Sequence, residues 1–349
     1  ARAERGLAQD VRDRALALLS EPVPERSSHR LANHPLSAAV TAFFVRRNLR
    51  KKTRGHYPAV LEALEVVRRG ASGDEAVSFA RESAAFVRLA KTDAARNLMR
   101  VHFLQEEAKR FRYDESIDPK SLAPVRATAV IGAGVMGSGI AQWLAAKGHP
   151  VILRDLDRNR IAAGMKAISG LFDEAVKKRI LTRHESGRKL DLVFPSASPV
   201  PLHRCDLVVE AASENLEVKK KIFADLSANT TPDTILATNT SALPITDLCT
   251  AAGVDHPERL IGLHFFNPVS RMKLVEVVVT EFTSPETVER TLAFVRSIGK
   301  LPVVVKDSPG FLVNRVLMPY LIEAGNMVDA GIEAARIDEA MLDFGMPMG

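Results

Sequence analysis

The chain of 349 residues is poor in aromatic side chains and poorer still in cysteine. Phe, Trp and Tyr supply 5% of it, with a single tryptophan, Trp143, and the cysteines are Cys205 and Cys249 alone. Two thiols exclude a disulfide framework or a cysteine-based metal site, and they point to a reducing compartment. The expected location is the cytoplasm, or a mitochondrial or peroxisomal matrix in a eukaryote. No apolar run approaches the roughly 20 residues that span a bilayer, and the first residues do not read as a signal peptide. A transmembrane protein, a secreted disulfide scaffold and a disordered tail are therefore not expected. What is present is globular: 46% hydrophobic and 26% charged residues, enough for a large aliphatic core in about two domains.

The net charge of +6 is unevenly placed, with 23 Lys and Arg against 16 Asp and Glu in residues 1–125. Its densest cluster is Arg46, Arg47, Arg50, Lys51, Lys52 and Arg54. Such a run reads either as a solvated helix end or as a face toward phosphates or another domain. No aromatic platform or reading motif accompanies it, so nucleic acid is not an expected partner. The chain starts at Ala1 rather than Met and stops after the turn-like Gly345-Met346-Pro347-Met348-Gly349, which reads as a piece of a longer protein.

Residues 1–113 read as helical. Pro58 suits a first helical turn, Val60, Leu61, Leu64 and Val67 follow, and Gly70 ends the helix. Ser72-Gly73-Asp74-Glu75 has the spacing of a capping box. Leu98, Val101, Leu104, Ala108 and Phe111 recur at helical period. Residues 114–125, with two prolines, read as a linker. From Arg126 the texture changes to short apolar strands at Ala127–Ile131, Val151–Asp155, Asp206–Glu210, Thr234–Ala237, Leu260–Leu263, Lys273–Val279 and Leu301–Val305. Helical stretches at Arg158–Arg179, Leu216–Asn229 and Glu286–Ser297 separate most of them. The alternation predicts an α/β fold, a Rossmann-type, mostly parallel sheet over 126–306. The all-helical segment precedes it, and residues 307–349 begin a second helical domain.

Gly132-Ala133-Gly134-Val135-Met136-Gly137 is a G-x-G-x-x-G pattern that follows a strand and opens the helix Val135–Lys147. Gly132 permits the tight turn, Gly134 lets a pyrophosphate approach the backbone, and Gly137 lets helix pack on strand. Free N–H groups at the helix start receive the phosphates. Asp155 ends the second strand 18 residues after Gly137. It suits a ribose diol and repels a 2′-phosphate, which favours NAD over NADP, although Arg154 and Arg158 nearby weaken that preference.

Chemistry must come from the second half. Gly262-Leu263-His264-Phe265-Phe266-Asn267-Pro268 puts a histidine where an apolar strand ends, and in open α/β sheets the carboxyl ends of strands face the ligand crevice. Twelve residues on, Glu276 interrupts a valine-rich strand, where a carboxylate is costly unless paired. His264 is the expected partner: the acid orients one ring nitrogen and leaves the other to move a proton.

With these residues in hand, the sequence resembles the 3-hydroxyacyl-CoA dehydrogenases over residues 126–349. The motifs are GAGVMGSGIA (132–141), VVEAASEN (208–215), NTS (239–241), GLHFFNPV (262–269), MKLVEVV (272–278) and DSPGFLVNR (307–315). The helical lead-in, with Gly55-His56-Tyr57-Pro58, resembles the segment before the dehydrogenase in multifunctional fatty-acid-oxidation alpha subunits. There a crotonase-fold enoyl-CoA hydratase comes first. The resemblance implies His264 as general base and Glu276 as its orienting acid, with Asn314 and Ser241 binding substrate. It implies cofactor contacts for Gly132, Gly134, Met136, Gly137, Asp155, Glu214, Lys219, Ser241 and Asn267. The implied reaction is NAD-dependent oxidation of an (S)-3-hydroxyacyl-CoA to a 3-oxoacyl-CoA in β-oxidation. An acyl-CoA substrate follows, as does a thiolase subunit as the whole protein's partner. The resemblance also places the hydratase carboxylates upstream of Ala1 and more helical domain after Gly349. The expectation for this chain is NAD binding without hydratase activity and with weak or absent turnover.

Bland readings stay open beside these: Asn314 and Ser241 as helix caps, Lys219 as a surface lysine. Two other functions also stay open. One is a 3-hydroxyacid dehydrogenase of the 6-phosphogluconate type, which would use a lysine base. The other is a noncatalytic NAD-binding module.

Overall fold

The computed structural model describes residues 34–70, 74–251 and 253–349. The helical reading of residues 1–33, and Ser72 and Gly73 of the expected capping box, lie outside them. The chain divides into two compact units, one running to Met99 and joined by Asp338–Gly349, the other Arg100–Ile337.

The described residues of the first unit are mainly helical. They contain α1 (Pro35–Thr53), α2 (Pro58–Gly70), α3 (Glu75–Ala90) and the start of α4 (Asp93–Arg110). The cap of α3 is Asp74, whose carboxylate accepts from the amides of Ala76 and Val77 at 2.7 and 3.2 Å. Glu65 gathers Arg46, Arg68 and Arg69, and hydrogen bonding from Arg68 above all holds its carboxyl down to about 2. Arg47, Arg50, Lys51 and Lys52 of the basic run are exposed.

The second unit is built on eight strands in the order β3-β2-β1-β4-β5-β6-β7-β8. These are β1 (Thr128–Ile131), β2 (Val151–Arg154), β3 (Val193–Ser196), β4 (Leu207–Glu210), β5 (Ile235–Thr238), β6 (Leu260–Phe265), β7 (Leu274–Val279) and β8 (Leu301–Lys306). All neighbours run parallel except β6 and β7. The order reverses at β1 and β4, the switch point where an open sheet holds its ligand. Covering helices are α5 (Val135–Ala146), α6 (Arg158–Lys177), α7 (Arg183–Leu190), α8 (Leu216–Asn229), α9 (Thr246–Cys249) and α10 (Pro285–Ser297). Helix α11 (Val313–Asp329) follows, and then α12 (Ala334–Phe344), whose residues from Asp338 on belong to the first unit.

β1, β4 and β5 are buried along their whole length, and a core forms on each face of the sheet. Ile140, Leu144, Phe172 and Leu292 centre one core, and Phe223, Leu226, Leu248 and Phe311 the other. The sequence reading omitted β3 and α7. β3 is a four-residue edge strand containing Pro195, with Phe194 half exposed, so it carries neither alternation nor an apolar run. It also ended β6 at Leu263; the strand continues through His264 to Phe265.

The segment read as a linker is strapped to α10. Glu289, 1% exposed, accepts from the amides of Tyr113 and Asp114 at 2.5 and 2.9 Å and from Arg112 Nε at 3.2 Å. Arg296 donates to the Phe111 carbonyl and Arg290 to that of Ala123. Replacing Glu289 with Ala leaves two amides and a guanidinium without their acceptor, at a cost of about 2–3 kcal/mol. Urea denaturation measures that loss, and amide exchange at Tyr113 and Asp114 accelerates more than in β4; unchanged protection there contradicts the strap.

Candidate active site

The glycine pattern follows its expected path. Gly132 has φ +105°, and a Cβ there would lie 2.5 Å from the Ala211 carbonyl oxygen. A Cβ on Gly137 would lie 1.8 Å from the Gly132 oxygen, so the start of α5 touches the turn that precedes it. A Cβ on Gly134 meets nothing within 4 Å: it faces open cleft. No side chain caps α5, which leaves its first-turn N–H groups and positive end directed at that space. These features fit the pyrophosphate of a dinucleotide.

One cleft of about 1190 Å³ runs from this turn to the histidine. Gly132, Gly134, Met136, Asp155, Glu214, Ser241, His264, Asn267 and Asn314 all line it. Gly137 lies behind, as a packing residue. Asp155 is pinned by the amides of Ala133 (2.9 Å) and Asp157 (3.2 Å).

His264 and Glu276 are cross-strand partners in the antiparallel β6–β7 pair. Nδ1 of His264 lies 2.7 Å from Glu276 Oε2, and Oε1 accepts from the amides of Leu312 (3.0 Å) and Val313 (2.9 Å). Burial pushes the Glu276 carboxyl up, but hydrogen bonds from His264, Val313 and Leu312 outweigh it and hold it below its usual value. An ionised acceptor makes Nδ1 the protonated nitrogen and leaves Nε2 a free lone pair. Phe266 and Phe311 pack against the ring, at centroid distances of 4.5 and 5.7 Å. Gly310 and Phe311 both take positive φ, +76° and +49°. That left-handed turn carries the chain from β8 into α11 and directs two amides at Glu276.

Lys219 is neither the surface lysine of the bland reading nor part of the cleft wall. It is 1% exposed, and its Nζ lies 2.8 Å from both carboxylate oxygens of Glu210. It reaches the cleft only through Glu214, 3.5 Å away. Glu214 accepts from Thr240 Oγ1 (2.5 Å) and the Ser241 amide (2.9 Å). Burial raises its carboxyl, while those bonds and the Lys219 charge bring it below its usual value. Asn314 Nδ2 donates to the Ser241 carbonyl at 3.3 Å, tying α11 to the same loop.

Sequence reasoning missed Glu210, Thr240 and Asn239, whose Oδ1 accepts from the Phe265 amide at 2.8 Å. The logic that singled out Glu276 finds Glu210 too: it is the lone charge in Leu207-Val208-Val209-Glu210 and is fully buried.

The model of the 3-hydroxyacyl-CoA dehydrogenase NAD binding domain matches residues 127–308, and that of the family's C-terminal domain matches 310–349. The fatty acid oxidation complex subunit alpha of Pseudomonas syringae pv. syringae is 40% identical over 84% of this chain and 40% of its own length. That of Vibrio cholerae is 36% identical over 95% of this chain and 46% of its own. The chain thus spans less than half the length of these curated relatives. Among solved structures, 3-hydroxybutyryl-CoA dehydrogenase from Escherichia coli is 42% identical, with a TM-score of 0.61 over 65% of this chain and 48% of that one. The (S)-3-hydroxybutyryl-CoA dehydrogenase PaaH1 from Ralstonia eutropha is 37% identical, with a TM-score of 0.61 over 64% and 80%. On the strength of its NAD-binding domain, and of the histidine–glutamate cleft that the domain carries, this chain belongs to the 3-hydroxyacyl-CoA dehydrogenase family.

Proposed function

We propose that this chain carries the site for the reversible NAD-dependent oxidation of an (S)-3-hydroxyacyl-CoA to a 3-oxoacyl-CoA, within fatty acid β-oxidation, and turns it over weakly by itself. The observation that carries this reading is the 2.7 Å His264–Glu276 contact at the end of a dinucleotide cleft. Nε2 of His264 takes the proton of the 3-hydroxyl as the C3 carbonyl forms. A bound NAD+ would supply the acceptor for the hydride from C3. The imidazolium left behind is stabilised by the Glu276 carboxylate. Ser241 and Asn314, tied to each other beside His264, hold the reacting oxygen. Glu214, Asn267, Asp155 and Met136 hold the cofactor, Gly137 keeps its turn in shape, and Lys219 acts through Glu214.

A lysine base of the 6-phosphogluconate type finds less support. The one lysine among the described residues lining the cleft, Lys221, sits on α8, the helix that carries Asp225. Both cysteines are buried and free, which supports a reducing compartment, the cytoplasm. No helix among the described residues is long and apolar enough to cross a membrane. The relatives' name, a complex subunit, supports a partner for the whole protein. The resemblance implies a thiolase, with an enoyl-CoA hydratase in the same polypeptide.

Under single-turnover conditions, the chain oxidises bound NADH when acetoacetyl-CoA is added. His264→Gln slows this step by about 10³-fold and leaves the Kd for NADH within about threefold. An equal rate in the variant removes His264 from the mechanism, and NADH binding without any oxidation by the unaltered chain favours the noncatalytic module.

Glu276→Gln keeps an acceptor for the Leu312 and Val313 amides but loses the charge facing His264. The rate falls by about 10²-fold. Because folding lowers the Glu276 pKa, its charge contributes stability that is complete above the unfolded value of about 4.3 and lost as pH falls through the lower folded value. The advantage in urea midpoint of the unaltered chain over the variant is therefore present at about pH 6 and shrinks as pH falls below about 4. A gap that widens below about pH 4 contradicts the assignment.

A further inference from the structure

Where the tip of β2 meets α8, the cleft is lined by three carboxylates and three cations: Asp155, Asp157 and Asp225, and Arg154, Arg160 and Lys221. Among the described residues, one pair of these forms a salt bridge. Arg154 Nη1 lies 3.1 Å from Asp225 Oδ2, with the side chains 11% and 46% exposed. The other oxygen of Asp225 accepts from Asn229 Nδ2 at 3.0 Å, one helical turn on, so α8 sets where the carboxylate stands. Arg158, the second arginine near Asp155 in sequence, does not line the cleft.

A 2′-phosphate on the adenosine ribose carries nearly two negative charges and is best met by the planar fork of an arginine. Arg154 is adjacent to Asp155 in the chain and already at the cleft wall, but its guanidinium is engaged by α8. We infer that Asp225, by holding Arg154, is a specificity-determining residue that excludes dinucleotides bearing a 2′-phosphate. It acts alongside the direct repulsion from Asp155 and rests on the dinucleotide reading of the cleft. Loss of Asp225 releases the arginine fork toward the ribose and withdraws one negative charge, so binding is gained rather than lost. Misfolding does not mimic a gain of this kind.

The test is a fluorescence or calorimetric titration of the full chain and of Asp225→Ala, Arg154→Ala and the double variant, each with NADH and NADPH. Asp225→Ala tightens NADPH binding by about tenfold or more and leaves NADH within about threefold, and the double variant loses most of the NADPH gain. Asp225→Asn, which keeps the side-chain volume and its bond to Asn229, shows the same order should the alanine variant fold poorly. Unchanged NADPH affinity in both Asp225 variants, or an equal gain when Arg154 is also absent, overturns the inference while NADH binding by the unaltered chain keeps the nucleotide site. Failure of the unaltered chain to bind NADH overturns both.

Discussion

Glu276 lies fully buried in the middle of a valine strand, and the arrangement of β6, β7 and the start of α11 follows from what its charge needs. A buried carboxylate is tolerated when its oxygens are all met by donors. Here the antiparallel pairing sets His264 directly opposite on one side, and the left-handed turn at Gly310–Phe311 brings two amides to the other. A parallel β6–β7 pair would place a different residue across from Glu276. The one reversed pair in the sheet is therefore the feature that sets a strand histidine against a buried carboxylate at the cleft.

The same physics operates a second time, behind the loop that bears Ser241. Glu210 ends β4 fully buried, and its charge is met by Lys219, Thr238 Oγ1 and the Ala212 amide. Lys219 in turn faces Glu214, which receives Thr240 and Ser241. Through this chain of contacts β4, β5 and α8 fix the loop that bears Ser241, and Asn314 extends the link into α11. The cleft wall is thus a set of short, charge-assisted bonds anchored in strands, which gives it rigidity that surface loops lack.

Much of this was legible in the chain. Glycine spacing, the strand before it and Asp155 after it specify a dinucleotide turn because each position has one steric or electrostatic demand. The charge in Leu274-Val275-Glu276-Val277 announced a partner, and His264 was the candidate at the right distance. What stayed hidden had no local signature. The proline-bearing edge strand β3 lacks alternation, and strapping of residues 111–117 onto α10 depends on Glu289, more than 170 residues away. Lys219 looked like any helix lysine because its partner Glu210 belongs to another element. The pairing of Arg154 with Asp225 is likewise a matter of topology, since β2 and α8 meet across 71 residues of sequence.

A proton-accepting role for His264 requires that Glu276 hold the ring with Nδ1 protonated and Nε2 free toward the cleft. Nitrogen-15 NMR of the histidine side chains, with His264 assigned by its substitution, reads that tautomer directly. In the neutral ring, a protonated Nδ1 coupled to a strongly hydrogen-bonded, downfield proton and an unprotonated Nε2 are expected. A neutral ring with the proton on Nε2 would contradict that role.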